Sequence, residues 1–544
     1  MRLERLGGGR WKTQWRNRTG LRIDNTLSFS VLEQGGYPYA YVGDDIIGDD
    51  GRPVVRRGEI RYNDPCSYRR TALSDGLTIR YDAGSFTVAS ITCYQYSDDE
   101  MILDQDFLPL SYFTLRQART EHSVTEDLVF RSRGDKAYRW LLGAFGFYRH
   151  GTMNAPVHFK QTGIEELILK YANENDQSYR YSWGLKDGTG GDELFLGSDF
   201  RMPSAGGALY HESNYTLGRW RFTAGLRFDF EHARLRYRNY TDTWYTKTRI
   251  KDDAVYELQL EIDDRSTLKQ TFTELLPKFS VMYSFDETRN LYLTIAKGYK
   301  SGGFNTQIFS DVLQQKMMNR MGIGEVYDVQ RGVAYKPEYS WNYEIGGHFS
   351  CMEGAVRGDF ALFYIDCRDQ QLTVFPEGQV TGRLMTNAGR TRSFGGEASL
   401  LATLWRNLDL QVAYGYTRAT FVKFDTGKAD YAGNFIPYAP QHTLYAGASY
   451  TLRTGWNWLE YVIFRVAANG AGRIYWNEAN TFSQPFYALL EASIRFEHRH
   501  WAVDVWGRNL TDTRYDTFYF MSIGNSFLQR GRPRTFGVSL SITL

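Results

Sequence analysis

The chain has 544 residues, of which 16% are aromatic, with 52 Gly but only 13 Pro and 4 Cys, which excludes both a disordered chain and a disulfide scaffold. A balance of 64 basic against 62 acidic residues leaves no basic field for nucleic acid. No stretch approaches the ~18 consecutive apolar residues of a membrane-spanning helix.

Taken in chain order, the sequence alternates. A first strand is predicted near residues 9–17, closed by the short turn Arg18-Thr19-Gly20. A long polar stretch near 36–76 follows, with the acidic group Asp44, Asp45, Asp49 and Asp50. A second, near 99–117, carries Asp98, Asp99, Glu100, Asp104 and Asp106. The short turn Arg133–Lys136 precedes another long stretch near 151–204. From Trp220 the period is two: Trp220, Phe222, Ala224, Leu226, Phe228 and Phe230 oppose Arg221, Thr223, Gly225, Arg227, Asp229 and Glu231. Short turns at Asp286–Arg289, Cys351–Gly354 and Arg453–Gly455 separate long stretches near 304–337, 369–390, 424–440 and 470–483. Strands recur at 408–417 and 443–452, and the last, near 532–544, alternates over ten residues from Thr535 to Leu544. Such alternation is a strand signal and not a helical one.

The non-apolar face carries full charges: Arg221, Arg227, Asp229, Glu397, Glu491, Arg495, Asp504 and Arg508. A soluble sandwich would need a partner sheet for every apolar face. A wide barrel turns the apolar face to lipid and lines a wet lumen with these charges. The fold expected is all-β: a transmembrane antiparallel barrel, with short turns on the periplasmic rim and long loops outside. About 19 strands are countable. An odd count sends the first and last strands the same way, so they cannot close antiparallel. The seam between 9–17 and 532–544 is expected to gap or to pair in parallel.

Five segments resemble TonB-dependent outer-membrane receptors of the iron-complex type. They are Leu293-Thr-Ile-Ala-Lys-Gly-Tyr-Lys-Ser-Gly-Gly-Phe-Asn305, Tyr335-Lys-Pro-Glu-Tyr-Ser-Trp-Asn-Tyr-Glu-Ile-Gly346 and Asn387-Ala-Gly-Arg-Thr-Arg-Ser-Phe-Gly-Gly-Glu397. The others are Ile436-Pro-Tyr-Ala-Pro-Gln-His442 and Gly507-Arg-Asn-Leu-Thr-Asp-Thr-Arg-Tyr515, the last followed by Gly531-Arg-Pro-Arg-Thr-Phe-Gly537. The resemblance covers the family's barrel across 1–544. It implies a Gram-negative outer-membrane protein that carries a ferric chelate of the siderophore type, with about 22 strands. It also implies a plug domain and a signal peptide, neither of which is visible, so the barrel reads as N-terminally truncated. TonB is an expected partner only if the plug is present. The alternatives are a passive pore or a surface-binding barrel. A monomer in outer-membrane lipid is expected.

No catalytic spacing stands out, so no enzyme and no cofactor is expected. The acidic groups are weighed as Ca²⁺ loops, but neither has a full ligand spacing. Cys66 with Cys93 is a conceivable disulfide, and Cys351 with Cys367 is excluded by strand length. Gly395 and Gly396 are expected to permit a bend or bulge. Haem is disfavoured because Gly298-Tyr-Lys-Ser-Gly302 replaces the family's haem loop. Ligand contact is assigned to Tyr299, Lys300, Phe304, Trp244, Tyr245, Tyr475 and Trp476, since aromatics stack on conjugated ligands and Lys attracts anionic chelates.

Overall fold

The computed structural model describes residues 4–48, 51–322, 333–374, 384–405, 407–426 and 429–543. One sheet of 21 strands forms the wall. Two of these, Val157–Lys160 and Tyr179–Trp183, are short outer additions, which leaves nineteen long strands. In chain order they begin with β1 (Glu4–Arg16), β2 (Leu21–Gly35), β3 (Ser67–Asp82), β4 (Phe86–Asp104), β5 (Phe113–Ser132) and β6 (Tyr138–Asn154). Next come β7 (Glu193–Leu217), β8 (Trp220–Arg249), β9 (Val255–Ser284), β10 (Asn290–Lys300), β11 (Glu338–Cys351), β12 (Val356–Val374) and β13 (Leu384–Leu404). The wall ends with β14 (Leu408–Lys423), β15 (His442–Trp456), β16 (Leu459–Ala471), β17 (Tyr487–His498), β18 (Trp501–Arg508) and β19 (Thr535–Ile542). Each long strand pairs antiparallel with the next. Among the described residues β1 pairs only with β2 and β19 only with β18, so of the two outcomes that an odd strand number allows, a gap or a parallel seam, the structure shows the gap.

Strands reach far into stretches whose composition reads as loop. Residues 67–76, 99–104, 113–117, 193–204 and 384–390 all lie in the wall's strands. The reason is physical. Above the membrane the outward face meets water and the inward face meets packed loops, so the apolar phase shifts and blurs while the backbone ladder continues. β8 and β9 show the extreme, paired without a slip from Trp220↔Tyr283 to Thr248↔Val255. Asp98, Asp99 and Glu100 are therefore strand residues opposite Thr120, Arg119 and Ala118, and not part of a flexible acidic loop.

The same strands invert their apolar phase as they rise. Low on β8, Phe222, Phe228 and Phe230 point outward and are exposed. Higher up, the opposite parity becomes apolar and buried: Leu235 is 0% and Tyr237 7% exposed. β9 switches between Leu275 and Phe279, exposed and outward, and Leu260, Ile262 and Leu268, buried and inward. The inversion marks where lipid outside gives way to water, and where a packed interior replaces a wet lumen.

Gly395 and Gly396 sit in unbroken register; the slip in that ladder falls between Arg390 and Thr391. Close approach explains Gly395 instead, because a Cβ there would meet the Tyr416 carbonyl oxygen at 1.9 Å. All four cysteines are free thiols.

Candidate functional site

The outer ends of the strands and their loops pack into a lobe with several apolar cores, of which three surround a cavity. The first gathers Phe159, Ile164, Ile168, Leu194, Leu196 and Tyr245 beneath the helical segment 161–175. The second seats Phe309, at the start of the helix Phe309–Arg320, against Phe200 and Tyr237 with ring centroids 4.9 and 4.6 Å apart. The third joins Tyr41, Leu103, Phe107, Leu108, Phe520 and Phe527.

A cavity of about 180 Å³ opens where the three meet. Its walls are Tyr37, Tyr39, Phe107, Phe113, Phe518 and Phe520, with Met101, Met153 and Met521 between the rings. Gln105, Gln117, Gln307, Ser198, Thr306 and Ser310 supply the polar atoms, and no lining residue is charged. The aromatic wall is held by edge contacts: Tyr39 lies 5.1 Å from Phe107 and 4.8 Å from Phe520, and Phe107 lies 5.1 Å from Phe520. Rings and thioethers of this kind accept a neutral aromatic or apolar group. The volume is below the ~300–1,000 Å³ that encloses a whole drug-sized ligand, so it fits one arm of a larger molecule.

Two buried acids brace the cavity. Asp104 accepts the backbone N–H groups of Asn63 and Asp64 at 3.2 and 3.1 Å. Asp106 accepts those of Leu108 and Tyr112 at 2.8 and 3.3 Å. Burial, and then the Asp104 charge, push the Asp106 carboxyl up to about 8. Burial raises Asp104 as well. Sharing a proton at neutral pH, the two acids carry one negative charge between them and not two. Nearby, Asp64 pairs with Lys160 at 2.5 Å, and burial pushes the Cys66 thiol up to about 11. Among the described residues no three His, Cys, Asp or Glu side chains are placed to hold a metal ion. Asp49 and Asp50, from the acidic group weighed for Ca²⁺, lie outside the described residues.

The ligand contacts assigned from sequence are scattered by the fold. Tyr245 is 5% exposed inside the first core, where its packing leaves no free ring face. Trp476 is buried beside Ile474 and Tyr519. Tyr475 stacks on Phe435 at 5.3 Å. Phe304 packs against the second core. Tyr299 lies beside Tyr339 and reaches a small pocket with Asp229, Glu231 and Phe272. Trp244 and Lys300 are exposed. None of the seven lines the cavity. Its residues come from segments scattered between Tyr37 and Ser522, so no local spacing reveals them. The one legible trace is aromatic crowding in Phe518-Tyr519-Phe520-Met521.

The eight charges assigned to the lumen all share the parity opposite the exposed apolar rows. Arg227 grips Asp229 with two bonds of 2.8 Å, beside Tyr210, whose hydroxyl donates to Asp127 at 2.7 Å. Arg495 pairs with Glu497 at 2.8 Å and stands opposite Asp504. Glu397 shares a wall pocket with His348 and Asp359. Arg508 lies over the Trp506 ring at 4.7 Å. Arg221 and Glu491 complete the row on β8 and β17.

The family described as TonB dependent receptor-like, beta-barrel matches residues 7–510. The pesticin receptor of Yersinia pestis is 25% identical over 280 residues, covering 50% of this chain and 37% of that protein. The ferrioxamine receptor of Yersinia enterocolitica is 23% identical over 286 residues, covering 50% of this chain and 34% of that protein. The matched stretch thus spans little more than a third of these relatives. The ferric yersiniabactin uptake receptor of Yersinia pestis superposes with a TM-score of 0.70 at 17% identity, over 99% of this chain and 71% of that one. A siderophore receptor of Acinetobacter baumannii gives 0.67 at 13% identity, over 99% and 74%. At such identities the likeness is one of fold.

Proposed function

Because the chain belongs to the TonB-dependent receptor-like β-barrel family, a family of the Gram-negative outer membrane, we propose that it is the barrel of a receptor that imports a ferric chelate with energy supplied through TonB. The observation that carries the reading is the uncharged aromatic cavity in the outer lobe, above a wall whose inner face is charged. A chelate arriving from outside meets exposed Trp244 and Lys300 on the lobe. One aromatic or apolar arm then enters between Phe107 and Phe520 and loses its hydration there. Gln105, Gln117 and Gln307 orient it by hydrogen bonds. The lumen below, with Arg227, Asp229, Arg495 and Asp504, gives a polar path that holds no apolar group for long.

The cavity also bears on the substrate class. A polyanionic chelate is best held by Arg forks, and the lining has none. A chelate of low net charge with an aromatic or alkyl arm fits better. Uptake of radioiron presented on a panel of chelates, measured in a deletion strain with and without the restored gene, tests this. Uptake limited to low-charge chelates, reduced about tenfold by Phe107→Ala with Phe520→Ala, is the expected result. Energy-independent uptake, with open conductance in a planar bilayer, would replace it with the passive-pore reading.

A further inference from the structure

The outward face of β7, β8 and β9, just above the apolar band, sets like charges opposite one another. Arg201 of β7 stands across from Arg236 of β8, and Arg234 of β8 stands across from Lys269 of β9. All four have the outward parity of Leu209, Phe230 and Leu275, which are 65%, 46% and 49% exposed to the membrane side. Like charges directly opposed on one face of a sheet destabilise it. Among the described residues none of the four has an ion-pair partner, and the Arg234 Nε is buried without a hydrogen-bond acceptor.

The same hairpin contains its own control. One step higher, Arg238 and Arg265 are also opposed. There Asp263 lies between them, accepting from Arg238 at 3.0 Å and from Arg265 at 2.6 and 2.9 Å. The outward acid near Arg201, Asp199, is engaged by Asn154 at 2.7 Å. The upper pair, facing water, is bridged by an acid from within the protein. The two lower pairs are not.

Height identifies what neutralises them. Arg234 lies four residues beyond Phe230, which is ~13 Å along a strand and ~10 Å of height at a tilt of ~40°. Arg236 is about 15 Å up on the same basis. A phospholipid headgroup layer is only ~6 Å deep on each side, so it falls short. The phosphorylated sugars of an outer-leaflet glycolipid reach this level. The two faces of each guanidinium fork match phosphate oxygens, and Lys269 adds a point charge.

We propose that Arg201, Arg234, Arg236 and Lys269 form a lateral binding site for the phosphates of an outer-leaflet glycolipid of the lipopolysaccharide type. The site sits on the outside of the wall, away from the cavity and the lumen, and fixes the hairpin β8–β9 against the membrane surface.

The test uses the protein purified in detergent and stripped of bound lipid. Bisphosphorylated lipid A is added, with dephosphorylated lipid A, phosphatidylglycerol micelles and inorganic phosphate as parallel probes, and the unfolding temperature is followed. The wild type should rise by several degrees with bisphosphorylated lipid A alone. The variant Arg201→Gln/Arg234→Gln/Arg236→Gln/Lys269→Gln should lose that rise, yet start at a higher temperature without lipid, because opposed charges have been removed. Native mass spectrometry of unstripped protein should show at least fivefold less co-purified lipopolysaccharide on the variant, and no change for the periplasmic-turn variant Lys136→Gln. An equal response to dephosphorylated lipid A would overturn the proposal, and that comparison needs only the wild type. Full response to phosphatidylglycerol would replace the glycolipid with any anionic lipid, and full response to inorganic phosphate would replace it with a free ion. Equal lipid retention by wild type and variant would also overturn it.

Discussion

The wall and the lobe are built from the same strands but solve opposite solvation problems. In the wall Leu209 is 65% exposed, whereas in the lobe Leu235 and Leu268 are 0% and 7% exposed on the two strands that continue from it. Lipid tails are as apolar as Leu, so an outward Leu in the wall gains little by being large. A buried Leu in the lobe gains its full transfer and packing energy. The wall is held mainly by its hydrogen-bond ladder, the lobe mainly by its core.

That difference predicts a ranking. Phe309→Ala, which empties the contact with Phe200 and Tyr237, should cost the lobe ~3–5 kcal/mol, and Leu235→Ala ~2–5 kcal/mol. Leu209→Ala should cost less than about 1 kcal/mol, since lipid refills the space. Hydrogen exchange of lobe and wall amides, compared with detergent-resistant mobility on gels, separates the three. Equal losses at Leu235 and Leu209 would erase the distinction between the regions.

A narrower cut tests where the boundary lies. Phe279 points to lipid and is 56% exposed, while Thr271 has the same parity eight residues higher. Phe279→Arg should cost ~2–4 kcal/mol in a bilayer and Thr271→Arg about 0–1 kcal/mol, since the penalty fades toward the interface. Folding yields into liposomes measure both. A large cost at Thr271 would move the phase inversion upward.

The same contrast explains what the sequence could reveal. In the wall one face meets lipid and the other meets water, so Trp220–Glu231 declares its period without any knowledge of the partner strands. The apolar rows, and the opposite parity of the charges from Arg221 to Arg508, are legible for that reason. In the lobe burial depends on which distant segments meet. Phe107, Met153 and Phe520 share a cavity across most of the chain, and Tyr245, assigned to ligand contact as a loop aromatic, packs in the first core against residues far away in sequence. The stretch 193–204 read as loop because its buried Leu194, Leu196 and Phe200 lie on the parity opposite to Leu209 below.

The lobe also carries a pH dependence of its own. The Asp106 carboxyl is held up at about 8, from an ordinary value near 3.8, by burial and by Asp104. The folded lobe therefore binds more protons than the unfolded chain between those two values, and its stability falls as pH rises through that window. The Phe107–Phe520–Phe527 core should be firmer at pH 5 than at pH 8.5. Asp106→Asn should flatten the profile, which pH-dependent proteolysis of the outer loops would detect. A profile unchanged by the substitution would assign the titration to another group.

The smallest effect belongs to the border between the two regions. Asp263 is held well below the ordinary carboxylate range by hydrogen bonds from Arg265 and Arg238. Both partners are solvent-exposed, so salt screens the trio and its loss should barely move thermal unfolding. Its role is to end the row of unbalanced cations at the height where glycolipid gives way to water. Asp263→Asn would free Arg238 and Arg265, extending the basic face upward by one opposed pair. Retention of lipopolysaccharide should then rise above wild type, and the rise should shrink with added salt. If retention stays unchanged while Arg234→Gln still lowers it, the acceptor phosphates lie no higher than Arg236. That outcome would sharpen the boundary between the membrane-facing wall and the water-facing lobe to a single step along β8.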